Sequence, residues 1–110
     1  MRYYSSQEAV QEIVSGNGHS SWPLLDEKNG CVNGCATGIS RYTALEYTPK
    51  AYHDFQEGFY VISGSGYAFV GDEEFPIGMG MSFIVPRQVA HQLRSDRDDV
   101  PLDLFWFHAN

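Results

Sequence analysis

Basic residues are scarce in this chain. Seven Lys and Arg stand against fourteen Asp and Glu, a formal net charge of -7. Phosphate backbones are held by clustered Lys and Arg. No such cluster occurs here, which argues against nucleic acid as a partner. The same shortage argues against an anionic membrane surface. No apolar run approaches the ~20 residues of a membrane-spanning helix. The opening "MRYYSSQEAV" also lacks the apolar centre of a secretory leader. A soluble, cytoplasmic protein is therefore the expectation. Cysteine is scarce too, with only Cys31 and Cys35, in "NGCVNGCATG". A four-ligand structural zinc site would need a second pair. A redox pair is usually spaced C-x-x-C before a helix, whereas this pair is one residue longer and precedes a strand-like run. Two thiols near a turn are the simplest reading, with a reversible disulfide left open.

What is present suits one globular domain over residues 1–110. Hydrophobic residues reach 43% and charged residues 19%, a folded rather than disordered composition. Aromatics at 15% point to a sheet-rich core or a ring-lined pocket. Ser5 and Glu8 stand at capping-box spacing, and Val10, Ile13 and Val14 fall on one helical face before Gly16. These residues predict one short amphipathic helix over about 6–14. Thereafter the pattern is β, with a barrel expected over about 20–108. "GFYVISGSG" and "GYAFVG" are strand runs, Gly71-Asp72 makes a tight hairpin turn, and Pro86 stops "MSFIV". "LDLFWFH" closes as an apolar strand. Short strands with turns at about ten-residue spacing indicate a sandwich or barrel.

His53 and Glu57 stand four positions apart in "AYHDFQEGFYVISGSG", residues 51–66. In one extended strand they would share a face yet lie about 13 Å apart, at ~3.3 Å per residue. Ligands of one ion each sit about 2.1 Å from it, so joint binding requires a bend. Asp54, Phe55 and Gln56 would make that bend, with Glu57 opening the next strand. A helix would also bring i and i+4 together, but Gly58 and the run Phe59–Ile62 argue against one. A second histidine, His91, lies in "GMSFIVPRQVAHQL", residues 80–93. Singly, each residue has a plainer reading: His53 a surface histidine at a strand end, Glu57 a solvated carboxylate, His91 a satisfied buried imidazole. His19, in "GNGHSSWP", reads as an exposed loop residue. His108 shares a strand face with Leu102, Leu104 and Trp106. It could point into the barrel to support a ligand, or sit frayed at the strand end, the reading slightly favoured. Tyr42, Tyr60, Phe69, Phe83 and Trp106 read mostly as core.

Spacing across the two stretches resembles the cupins, whose motifs are G-x5-H-x-H-x3-E-x6-G and G-x5-P-x-G-x2-H-x3-N. His53-x3-Glu57-x6-Gly64 fits the second half of the first motif. Gly80-x5-Pro86 and Pro86-x4-His91 fit the second. The first histidine of the H-x-H pair falls on Ala51, the glycine after the proline on Gln88, and the closing Asn on Ser95. The resemblance covers roughly residues 42–108. It implies a compact antiparallel jelly-roll barrel in which His53, Glu57 and His91 hold a divalent metal, with the usual fourth ligand lost at Ala51. Two histidines and one carboxylate form the facial triad of non-haem iron, and the set also suits manganese, nickel or zinc. A small cupin acting on a small organic molecule is implied, with the reaction unassigned. Tyr60 and His108 are the candidate general bases. A non-catalytic binding or sensing cupin, with or without metal, is the alternative. Because cupins commonly pair through sheet edges, a homodimer is expected.

Overall fold

About half of the chain is extended, in nine strands. The computed structural model describes residues 1–110. The strands are β1 (Ile13–Gly16), β2 (His19–Leu25), β3 (Ala36–Tyr42), β4 (Gln56–Ser63), β5 (Ser65–Val70), β6 (Glu73–Gly78), β7 (Ser82–Val85), β8 (His91–Ser95) and β9 (Leu102–Ala109). A six-stranded sheet runs β1-β2-β3-β9-β4-β7 and a three-stranded sheet runs β6-β5-β8. Every neighbouring pair is antiparallel. This is the all-β jelly roll that the cupin resemblance implies, and it fits the sandwich or barrel read from the strand spacing.

The two sheets close over one apolar core. Phe59 and Val61 come from β4, and Leu102, Leu104 and Trp106 from β9. Ala68, Ile77 and Leu93 face them from the small sheet, with Tyr42 and Val85 at the margins. Burying each Leu, Val or Phe contributes roughly 1.5–3 kcal/mol, so the core holds the barrel without cross-links. β5 and β6 are joined by the expected two-residue turn at Gly71-Asp72, with Val70 opposite Glu73. Gly71 has a φ of 61° and Asp72 is not left-handed, the pattern of a type II′ turn.

The N-terminal helix expected over 6–14 does not form. Only Gln7–Ala9 makes a single 3-10 turn, and its cap, Ser6, makes no side-chain capping bond. The capping box of this chain lies instead at Asp26, ahead of a second 3-10 turn, Glu27–Asn29. Ile13 and Val14 pair with Ser21 and Ser20 in a hairpin, closed by Gly16, Asn17 and Gly18 at φ values of 84°, 53° and 69°. Ile13 and Val14 are exposed, so no buried helical face exists for them to form. Asn-Gly between two extended runs is a strong hairpin signal, and it outweighs three apolar residues at helical spacing.

Candidate metal centre

The backbone between His53 and Glu57 does bend. Asp54 and Phe55 lie outside any strand, and β4 begins at Gln56. The bend is tied to the β7–β8 turn, where the Gln88 N–H donates to the His53 carbonyl at 2.8 Å. Gln88 Nε2 also donates to Asp54 Oδ1 at 3.2 Å. Gln88 has a φ of 61°, the left-handed region that favours glycine, at the position where the cupin motif has one. His91 opens β8, and its N–H and C=O bond to Ala51 at 2.8 and 3.1 Å. Thus the small sheet is extended by one bridge, and His91 is brought over the bend.

Three donor atoms converge there. Glu57 Oε1 stands 3.7 Å from His53 Nε2 and 3.5 Å from His91 Nε2. Candidate ligand atoms of the three residues all lie within 4.8 Å of one another. Hydrogen bonds of this kind are made at 2.7–3.2 Å or so, and both separations are too long. Ligands bound at about 2.0–2.2 Å to one ion stand about 3.0–3.4 Å apart. A metal ion therefore fits the spacing better than hydrogen bonding does.

Burial leads to the same chemistry. Glu57 is 8% exposed, and its charge is not met by any Lys or Arg. A buried carboxylate needs a counter-charge or several donors. The solvated-carboxylate reading of Glu57 is thereby removed. His91 is 7% exposed and its buried Nδ1 makes no well-formed hydrogen bond, only a weak approach to the Ala51 backbone, so it is not the fully satisfied core imidazole of the plainer reading. Burial lowers the His91 pKa below its ordinary 6.5, against the raising effect of the Glu57 carboxylate. A neutral imidazole is the form that binds metal. His53 is more exposed and stacks on Phe55 with ring centroids 4.8 Å apart.

Two further histidines belong to this site, against the readings favoured from the sequence. His108 is not frayed. Its Nε2 lies 2.9 Å from Glu57 Oε2, and its ring packs against Phe55 and Trp106 at 4.2 and 4.6 Å. The signal for it was the period of two on β9, which puts His108 on the face of the buried Leu102, Leu104 and Trp106. His19 is not an exposed loop residue. It opens β2, stacks on buried Tyr42 at 4.4 Å with the rings nearly parallel, and lies 3.5 Å from Ser40 Oγ. Burial lowers its pKa from the ordinary 6.5. Tyr60, by contrast, is 49% exposed on the outer side of β4 and cannot serve as a base inside.

A cavity of about 340 Å³ joins these groups. His53, Glu57, His91 and His108 line it together with His19, Ser21, Ser40 and Tyr42, and Ala51 adds no side-chain donor. Glu57 is its only acidic group, and no Lys or Arg lines it. Cys31 and Cys35 are free thiols and take no part in it.

The cupin domain family matches this sequence over residues 40–108. An RmlC-like cupin from Shewanella frigidimarina NCIMB 400 is similar with a TM-score of 0.79 and 15% identity, over 100% of this chain and 93% of that one. The polyketide cyclase RemF from Streptomyces resistomycificus gives 0.80 and 18%, over 98% and 79% of the two chains. Salicylate 1,2-dioxygenase from Pseudoaminobacter salicylatoxidans, in adducts with gentisate, gives 0.74 and 22%, over 89% of this chain and 26% of that one. At these identities the likeness establishes the fold. No curated protein matches the sequence significantly. With its matched residues spanning more than half of the chain and its strands in jelly-roll order, the protein belongs to the cupin family.

Proposed function

We propose that the protein holds one divalent metal ion through His53, Glu57 and His91 and acts on a small organic molecule in the adjoining cavity. The observation that carries this reading is the buried Glu57 oxygen facing two imidazole nitrogens at 3.5 and 3.7 Å, too far for hydrogen bonds and close to the spacing of ligands on one ion. The cavity volume is near the lower end of the ~300–1,000 Å³ typical of small-ligand sites. Three protein donors leave positions for substrate oxygens on iron, manganese, nickel or zinc. Such an ion supplies Lewis acidity and, if redox-active, a route to oxygen chemistry.

The chain's own groups do the rest. Phe59 and Trp106 give the cavity apolar surfaces that limit water around the donors. Tyr42 has its pKa pushed far up by burial, so it remains a neutral hydroxyl. His19 is neutral at pH 7 because burial lowers its pKa, and its imidazole can accept or return a proton in the cavity. An enzymatic reading is supported further by similarity of fold to a polyketide cyclase and a salicylate dioxygenase. The protein is proposed to be cytoplasmic and a homodimer. Dimer formation is supported by Tyr60, Ile62, Ile84 and Phe107, which are exposed together on the outer face of the large sheet.

Equilibrium dialysis against Mn²⁺, Fe²⁺, Ni²⁺ and Zn²⁺ tests the metal. About one ion per chain is expected, removed by chelator and restored on addition. Oxygen uptake or substrate turnover by the loaded protein then separates an enzyme from a binding module. A chain that takes up no ion would leave a metal-free binding or sensing cupin.

A further inference from the structure

His108 belongs to neither cupin motif, yet it makes the shortest polar contact at the centre, 2.9 Å from Nε2 to Glu57 Oε2. The contact is built by the sheet. Glu57 on β4 and His108 on β9 are direct register partners. The His108 ring is held between Phe55 and Trp106, with centroids at 4.2 and 4.6 Å. An ionised carboxylate can only accept, so Nε2 carries the proton and donates it. The two oxygens of Glu57 are thereby divided: Oε2 faces His108, and Oε1 faces His53 and His91.

Resting on the metal reading above, we propose that His108 is a positioning residue that fixes Glu57 as a one-oxygen ligand. An unrestrained carboxylate can turn to offer both oxygens, taking a coordination position that substrate would otherwise use. The N–H of His108 occupies the second oxygen and prevents this. It also fixes the carboxylate plane, which matters more in a site that has Ala51 where a fourth ligand would stand. Hydrogen bonds to metal ligands of this kind change metal affinity by roughly 10–100-fold.

Zn²⁺ affinity is to be measured by calorimetry for the wild type, His108→Phe and His108→Gln, with circular dichroism melting of the metal-free proteins as the folding control. His108→Phe keeps a ring between Phe55 and Trp106 but removes the donor. It is expected to bind Zn²⁺ at least tenfold more weakly while keeping a cooperative melt well above the assay temperature, with some loss of stability from the unpaired Glu57 oxygen. His108→Gln restores an N–H donor and is expected to recover part of the loss. Cu²⁺-loaded protein examined by electron spin echo modulation counts bound imidazoles, and two are expected in the wild type and in both variants. Equal affinity of wild type and His108→Phe overturns the proposal while leaving the metal reading intact. So does a third imidazole in the wild type that disappears in His108→Gln, which would make His108 a ligand, and this count stands even if His108→Phe fails to fold. A wild type that binds no metal overturns both readings.

Discussion

At Glu57 a buried carboxylate is met by imidazoles instead of a lysine or arginine, and the residue-scale behaviour of the site follows from that. Ala51 stands beside the three donors, with its N–H and C=O bonded to His91 and its side chain in the cavity lining. Ala51→His should add a fourth donor and tighten Zn²⁺ binding by tenfold or more, measured by competition with a chelator. Unchanged or weaker binding would mean that position 51 cannot reach the ion. Acid should act on the metal-free protein through His19 and His91. Burial lowers both pKa values below the ordinary 6.5, so the unfolded chain binds more protons than the folded one as pH falls past that value. Their contribution to stability is thus fully present above about pH 6.5 and is lost as pH falls through the lowered folded values. Melting temperature should decline between pH 7.5 and 5.5, and His19→Gln should decline less steeply. Parallel, flat profiles would contradict the burial of these rings as neutral groups.

Element by element, the strands that line the site were legible and the N-terminus was not. β9 reads directly from "LDLFWFH", and the β5–β6 turn from Gly71-Asp72, because alternation and turn chemistry are local signals. Ile13 and Val14 carried a helical spacing but belong to an exposed edge hairpin, whose turn residues Asn17-Gly18 were the stronger signal. His19 was misplaced for the same reason, since β2 begins where that turn ends. His108 was placed on the right face, but its partner could not be read, because the register of β9 against β4 is set by tertiary pairing. Two substitutions test how the strands meet. A Cβ at Gly38 would collide with the Trp106 ring and stand 2.8 Å from the Trp22 carbonyl oxygen. Gly38→Ala should therefore destabilise by about 1–3 kcal/mol in urea unfolding. It should also weaken metal binding, because Trp106 packs on His108. Gln88→Gly should do the reverse at the β7–β8 turn. Relief of the left-handed backbone at φ 61° is worth about 1 kcal/mol, against an exposed side-chain bond to Asp54. A drop in stability would show that the Asp54 bond outweighs the strain.

On the scale of the whole molecule, the fold does what no local segment can. His91 lies 34 positions beyond Glu57 in sequence. It reaches the carboxylate only because β8 sits in the small sheet opposite β4 in the large one. The motif spacing pointed to this meeting, whereas the place of His19 and His108 in the cavity lining emerges only from the packed barrel. The ten-residue apolar core lies beneath the site and does not depend on an ion. His91→Ala should accordingly retain the wild-type circular dichroism spectrum while losing nearly all bound metal, since two donors rarely hold a divalent ion. The most direct measurement is anomalous diffraction from crystals of the wild-type protein loaded with Zn²⁺. One peak is expected about 2.0–2.2 Å from His53 Nε2, Glu57 Oε1 and His91 Nε2. No peak at that point, or a peak bound through His19 or surface carboxylates instead, would contradict the metal centre and leave the cavity as a metal-free binding site.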